Sequence, residues 1–209
     1  MEDELSANSA KRRNRSKLVQ NINPDIVKVL LTQESIEQRV VEMGREVADA
    51  YGDTVPLLVG VLKGCSLFMA DLIRHMNIAL EMDFIAVLSY TNAGQATGAV
   101  RIVKDLDSVI EGRDILIIEG IVDTGMTIGY ILRNLQARQP RSIRLCTLLD
   151  KPARRIVPVP TDFKGFEIPD HFVVGYGLDF LQRYRNLPYI GILKDEITGL
   201  ARSQKKNNS

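Results

Sequence analysis

Apolar positions along this chain alternate between continuous runs and one-sided stripes. Order is expected to begin near Ile26. Val27 to Leu31 is apolar and β-branched, as in a strand. Thr32 then precedes a stretch through Tyr51 in which Ile36, Val40, Met43 and Val47 share one helical face, and Thr32 suits the N-cap. Gly52-Asp53 ends that helix. Leu57 to Leu62 is a short unbroken apolar run, the pattern of a strand buried on both faces. Ser66 to His75 returns to helical spacing, with Leu67, Ala70 and Ile73 on its predicted face. Leu80 to Leu88 reads as a further strand. Ser89 to Ala99 is small and polar with two glycines, and reads as a loop, either a functional lid or an insert. Val100 to Val103 returns as a strand, and Asp105 to Asp114 is a charged turn. Ile115 to Ile118 is again a buried strand. Ile128, Ile131, Leu132 and Leu135 then predict a helix from about Thr127 to Arg138, stopped by Gln139-Pro140. Ile143 to Leu149 is the next strand.

Strands alternating with helices imply an α/β fold with a mostly parallel central sheet flanked by helices. Residues 155–190 break the pattern, with Pro158, Pro160, Pro169 and Pro188 between short strand candidates. They read as a small hood, built with N-terminal residues, over the carboxyl edge of the sheet. Open α/β folds place ligands at that edge. Residues 21–200 are expected to form one domain. Residues 1–20, with basic Lys11, Arg12, Arg13, Arg15 and Lys17, and residues 201–209 read as disordered polar tails.

Composition narrows the setting. The chain has 209 residues, 45% of them hydrophobic, enough for one domain with a substantial core. Its 27 Lys+Arg and 26 Asp+Glu leave a formal charge of +1, so no global field draws it to nucleic acid or a membrane surface. Two cysteines, Cys65 and Cys146, without a CxxC or Cys/His cluster, argue against a disulfide framework or a zinc site. No apolar run approaches the ~20 residues of a membrane span. A cytoplasmic location follows as an expectation.

The chemistry centres on one stretch. Glu119 and Asp123 follow the strand ending at Ile118, and Asp123-Thr124-Gly125-Met126-Thr127 opens the next helix. Free N–H groups in such a turn, with two threonine hydroxyls beside them, suit a phosphate. Carboxylates just ahead suit a sugar hydroxyl, a metal ion or a proton. The bland alternative is Thr124 as an ordinary N-cap.

An acid, three residues, then Asp-Thr-Gly-x-Thr after a buried strand resembles the diphosphoribosyl-binding motif of the type I phosphoribosyltransferases. Further segments sharpen the likeness to their bacterial hypoxanthine-guanine branch. These are Val61-Leu62-Lys63-Gly64, Leu88-Ser89-Tyr90, Leu149-Asp150-Lys151-Pro152, Gly165 to Pro169, and Phe172 to Asp179 running on to Tyr184-Arg185. They fall in the family's order from about Ile26 to Lys194.

The resemblance implies transfer of ribose 5-phosphate from phosphoribosyl pyrophosphate to hypoxanthine or guanine, giving IMP or GMP and pyrophosphate, with Mg²⁺ as cofactor. It implies that Asp123, Thr124, Gly125, Met126 and Thr127 bind the 5′-phosphate, with Asp123 also the catalytic acid–base group near purine N7. Glu119 and Gly120 occupy the ribose-binding positions. Lys63, Gly64 and Arg185 match the pyrophosphate contacts, Lys63-Gly64 in a loop that often carries a cis peptide. Lys151, Phe172, Val173 and Asp179 match purine-site positions, Phe172 as the stacking ring. Glu119 and Asp179 match metal-associated acids. Ser89 and Tyr90 match the lid. Homodimers or homotetramers are implied as well.

Gly120 departs from the pattern, which has a second acid there. A missing charged acceptor is worth roughly 1.5–3 kcal/mol, or about one to two powers of ten in rate. Two other functions stay open: a catalytically weak nucleotide-binding or regulatory protein on this fold, and a pyrimidine-directed relative. Lys151 and Phe172 argue against the latter.

Overall fold

The computed structural model describes residues 23–92 and 95–199; for 89–92 and 95–99 only the backbone is described. The expected tails at 1–20 and 201–209 lie outside these residues. Strands β2 (Leu57–Leu62), β3 (Glu81–Asn92), β4 (Gln95–Lys104), β5 (Asp114–Val122), β6 (Ser142–Asp150) and β7 (Phe163–Glu167) make one sheet, in the order β4-β3-β2-β5-β6-β7. Only β3 and β4 pair antiparallel. A second, three-stranded antiparallel sheet joins β1 (Ile26–Leu31), β9 (Ile190–Leu193) and β8 (Val173–Val174).

Alternation along the central strands assigns the two faces. Ile115 and Ile117 of β5 and Leu57 and Val59 of β2 meet Ile128, Ile131 and Leu135 of helix α3 (Met126–Gln136). Leu116 and Ile118 turn the other way. They pack with Ile36, Val40, Met43 and Val47 of helix α1 (Gln33–Tyr51) and with Phe68, Met69 and Leu72 of helix α2 (Ser66–Ile73). The α1 face is the one its periodicity predicts, and the Thr32 hydroxyl accepts the Ser35 N–H at 3.2 Å as N-cap. A short helix α4 (Asp195–Thr198) closes the described chain.

Three sequence expectations are corrected. Helix α2 buries Phe68, Met69 and Leu72, not the predicted face; Leu67 is 40% exposed. The segment is apolar nearly all round, so period alone could not choose a side, and the bulkier residues took the interior. Residues 89–92 and 95–99, expected as loop, have backbone that extends β3 and β4, pairing Ser89 with Val100, Tyr90 with Ala99 and Asn92 with Gln95. Small polar residues there hid an antiparallel pairing, because backbone hydrogen bonds carry it and few apolar anchors mark it. Finally, Phe163–Glu167, expected in the hood, is the edge strand of the main sheet.

Candidate functional site

The parallel strands β2, β5 and β6 deliver their carboxyl ends to one edge, and the motif residues gather there. At the end of β5 the backbone turns through Thr124 and Gly125 into α3. Gly125, the N-cap, has φ +81°, and a Cβ there would run into the Val157 carbonyl, so only glycine fits. Helix α3 begins at Met126, one residue before the periodicity indicated. The Thr124 hydroxyl accepts the Met126 N–H at 3.4 Å. The turn thus directs the start of an eleven-residue helix at the carboxyl edge, where open α/β folds place ligands.

Asp123 stands at the head of this turn. Arg154 Nε lies 3.3 Å from Asp123 Oδ1 and Arg154 Nη1 lies 3.7 Å from Asp170 Oδ1. Even so, Asp123 Oδ1 is buried and makes no hydrogen bond. Four residues earlier, Glu119 is 8% exposed, and its Oε1 accepts the Gly120 N–H at 2.8 Å. Burial pushes the Glu119 carboxyl up to about 7, against the lowering effect of the Gly120 and Ile121 N–H groups.

Lys151, directly after β6, is 4% exposed, and its Nζ donates to the His171 carbonyl at 2.6 Å. Burial lowers its pKa, against the raising influence of Asp123 and Asp170. Phe172 remains 36% exposed and meets Phe180 edge-on, centroids 5.4 Å apart. Its neighbour Val173 begins β8 and pairs with Ile192. Lys151 and the Phe172 segment are thereby joined through the His171 backbone.

A second polar group lies beside the β2 end, where the Leu62–Lys63 peptide is cis. Arg185 pairs with Asp179 at 2.8 Å and donates to the Gly177 carbonyl at 2.7 Å and to Gln182 Oε1 at 3.1 Å. Lys63 Nζ donates to the same Gln182 oxygen at 3.3 Å. Asp179 also accepts the Gln182 N–H at 2.8 Å. A Cβ on Gly120 would stand 3.0 Å from the Gly64 carbonyl oxygen and 3.1 Å from Leu178 Cδ2, and a Cβ on Gly177 would clash with that same carbonyl. The Gly64 backbone therefore lies between the two glycines.

The structure thus joins Lys63, Asp179 and Arg185 in one network and sets Gly64 against Gly120. It connects Asp123, Lys151 and the residue before Phe172 through Arg154, Asp170 and His171. Side chains of Ser89 and Tyr90 lie outside the described residues. Sequence reasoning missed Arg154, His171 and Gln182. Arg154 carried a faint signal, two arginines shortly after Lys151-Pro152; His171 acts through its backbone and Gln182 looks like any exposed turn residue. Cys65 and Cys146 are buried, and burial raises both thiols, Cys65 to about 12 and Cys146 further, which disfavours the nucleophilic thiolate at each.

Among the described residues no cluster of three or more His, Cys, Asp or Glu side chains could cage a metal. No helix among the described residues is long and apolar enough to cross a membrane.

Comparison with known proteins decides the family. Residues 27–181 match the phosphoribosyl transferase domain. The chain belongs to the phosphoribosyltransferase family. This phosphoribosyltransferase is 54% identical over 173 residues to the hypoxanthine-guanine phosphoribosyltransferase of Bacillus subtilis, covering 83% of this chain and 96% of that one. It is 48% identical over 174 residues to the Escherichia coli hypoxanthine phosphoribosyltransferase, covering 81% and 98%. Among solved structures, a Staphylococcus aureus hypoxanthine phosphoribosyltransferase shares 47% identity at a TM-score of 0.79, covering 83% of this chain and 94% of that one. A Trypanosoma cruzi hypoxanthine phosphoribosyl transferase shares 36% at a TM-score of 0.80, covering 88% and 99%. The expected type I fold is the one observed.

Proposed function

We propose that this chain transfers ribose 5-phosphate from phosphoribosyl pyrophosphate to hypoxanthine or guanine, yielding IMP or GMP and pyrophosphate in purine salvage. The observation that best supports the reading is the buried Asp123 Oδ1 without a hydrogen bond, at the head of the turn into α3 and electrostatically linked to Lys151. A buried acceptor left open needs a donor from elsewhere. A purine N7–H supplies one.

In this mechanism the turn from Asp123 to Thr127 holds the 5′-phosphate through backbone N–H groups and the two threonine hydroxyls. Phe172 stacks on the purine, the Val173 backbone meets its edge, and Lys151 meets its 6-oxo group. The bond from the sugar's C1 to pyrophosphate breaks, the bond to the purine nitrogen forms, and Asp123 takes the proton the purine gives up. Lys63, Gly64 and Arg185 meet the departing pyrophosphate. Glu119 and Asp179 would hold Mg²⁺ together with substrate oxygens, and the ion would offset the leaving group's charge. Ser89 and Tyr90, on the β3–β4 hairpin, close over the reacting centre and exclude water. A cytoplasmic homodimer or homotetramer completes the reading, on the resemblance alone.

Gly120 lowers the rate in this account, because one ribose-binding carboxylate is missing. The same residue favours the second reading, a nucleotide-binding protein with little turnover. A spectrophotometric assay with hypoxanthine and guanine separates them. Product from either base is expected. GMP binding with no product would establish the second reading, and competition by UMP but not GMP would refute both. Gly120→Asp at saturating substrate then tests the impairment: a rate increase of about one to two powers of ten is expected, and an unchanged rate would contradict it.

A further inference from the structure

We propose that Arg155 is a positioning residue for the phosphate turn, acting through Asp150 without touching substrate. The proposal rests on the function given above, in which that turn binds the 5′-phosphate. The chain after β6 does not leave the sheet edge. It passes through a 3₁₀ turn (Pro152–Arg154) and lies back across the turn after β5 as a strap.

The strap is tied down along its length. The Lys151 N–H donates to the Val122 carbonyl at 2.9 Å, and the N–H groups of Ile156 and Val157 both donate to the Thr124 carbonyl at 2.9 Å. The Val157 carbonyl presses on Gly125 closely enough to exclude a Cβ, and Val157 Cγ1 lies 3.0 Å from where a Cβ on Gly129 would stand. Two glycines of the turn and helix start are therefore fitted to Val157. The path of the turn is set by the strap as much as by α3.

Arg155 fixes the strap to the sheet. Its guanidinium pairs with Asp150, the last residue of β6, which lies in register with Val122, the last of β5. Its Cδ lies 3.1 Å from the Cβ position of Gly125. Asp150 is 7% exposed, and Lys164 reaches it at 3.7 Å. Arg155 Nη1 is buried without a hydrogen-bond partner. Burying a permanent charge with an idle donor is costly, and an aliphatic residue would fill the same space. The charge is useful as a fixed, directional tie between the strap and the end of β6. A group-sized misplacement of donors, about 1 Å, costs on the order of 10²-fold in positioning-dependent steps.

The test is calorimetric titration of the full chain with GMP and with guanosine, which lacks the phosphate. The quantity read is the ratio of their affinities. Arg155→Ala is expected to shrink the GMP preference by about tenfold or more. Arg155→Lys, which can still pair with Asp150, restores most of it. Arg141→Ala breaks a 2.8 Å pair with Asp114 at the opposite end of β5 and leaves the ratio unchanged. Should Arg155→Ala not fold, Asp150→Asn removes the anchor and is expected to give the same loss. A GMP preference in Arg155→Ala within about twofold of the parent would overturn the proposal, as would Arg155→Lys behaving like Arg155→Ala. A parent protein with no GMP preference at all would sink the proposed function, and this proposal with it.

Discussion

Asp83 and Glu119 are both buried carboxylates in the main sheet, 6% and 8% exposed, yet their surroundings push them in opposite directions. Asp83 accepts the N–H groups of Phe84 at 2.6 Å, Asp107 at 2.9 Å and Ser108 at 2.8 Å, with Lys104 3.6 Å away. Burial alone would raise it, but the Ser108, Phe84 and Asp107 donors outweigh that and lower its pKa. Glu119 receives only the Gly120 and Ile121 N–H groups, and burial wins. One carboxylate is saturated by its own chain and pins the 105–108 turn. The other is left with few donors inside β5, three residues before the strand ends. Asp123, with an unbonded buried oxygen, belongs with Glu119. On the proposed function, Asp83 is an acid satisfied internally, whereas Glu119 and Asp123 keep capacity for a ligand.

That division can be broken by mutation, and Asp123→Asn is the sharpest blow. It should lower kcat by ~10²–10⁴ while the melting temperature scarcely moves, as assay and calorimetry on one preparation would read. Loss of fold in place of loss of rate would put Asp123 with Asp83. Asp83→Ala should do the reverse. It strands buried N–H donors, so stability should fall by about 3 kcal/mol in a urea titration, with kcat per folded molecule unchanged.

The pH dependence of stability separates the two acids without mutating the site's geometry. Glu119 ionises near 4.5 when unfolded and about 7 when folded. Between those values the folded state holds the extra proton, so its stabilising contribution is full below about 4.5 and is lost as pH rises to about 7. The loss is about 3 kcal/mol, and Glu119→Gln should remove it from a pH series of ligand-free melts. Asp83 has the opposite sign: its contribution is present above its unfolded value of 3.8 and is lost as pH falls through the lowered folded value. A pH series in which Glu119→Gln changes nothing would remove the contrast. The smallest effect concerns Gly120. Gly120→Ala adds a Cβ 3.0 Å from the Gly64 carbonyl and supplies no carboxylate, so it should cost about 1 kcal/mol of stability and raise no rate. A faster Gly120→Ala enzyme would mean that shape, not charge, limits this position.

Much of this was legible beforehand. Periodicity gave the α1 face and the central strands, because Ile36, Val40, Met43 and Val47 have polar neighbours on the other side. The Asp123–Thr127 motif was legible through its resemblance to a family pattern, since a strand, a turn and a threonine N-cap alone are common. The α2 face was not, since Leu67, Phe68 and Met69 are all apolar. Nor was the β3–β4 hairpin, whose pairing is carried by backbone. The ties that assemble the site were illegible for the same reason: His171 offers a carbonyl, Val157 a carbonyl and an N–H, and Thr124 a carbonyl. Backbone groups are the same for every residue type, so composition cannot announce them.

The most direct test is a crystal structure of the full chain with GMP. The phosphate should lie against the N–H groups and hydroxyls of Thr124 through Thr127, with the purine on Phe172, its 6-oxo group at Lys151 and its N7 at Asp123 Oδ1. A nucleotide bound at another edge of the sheet, or a phosphate turned away from that turn, would contradict the account.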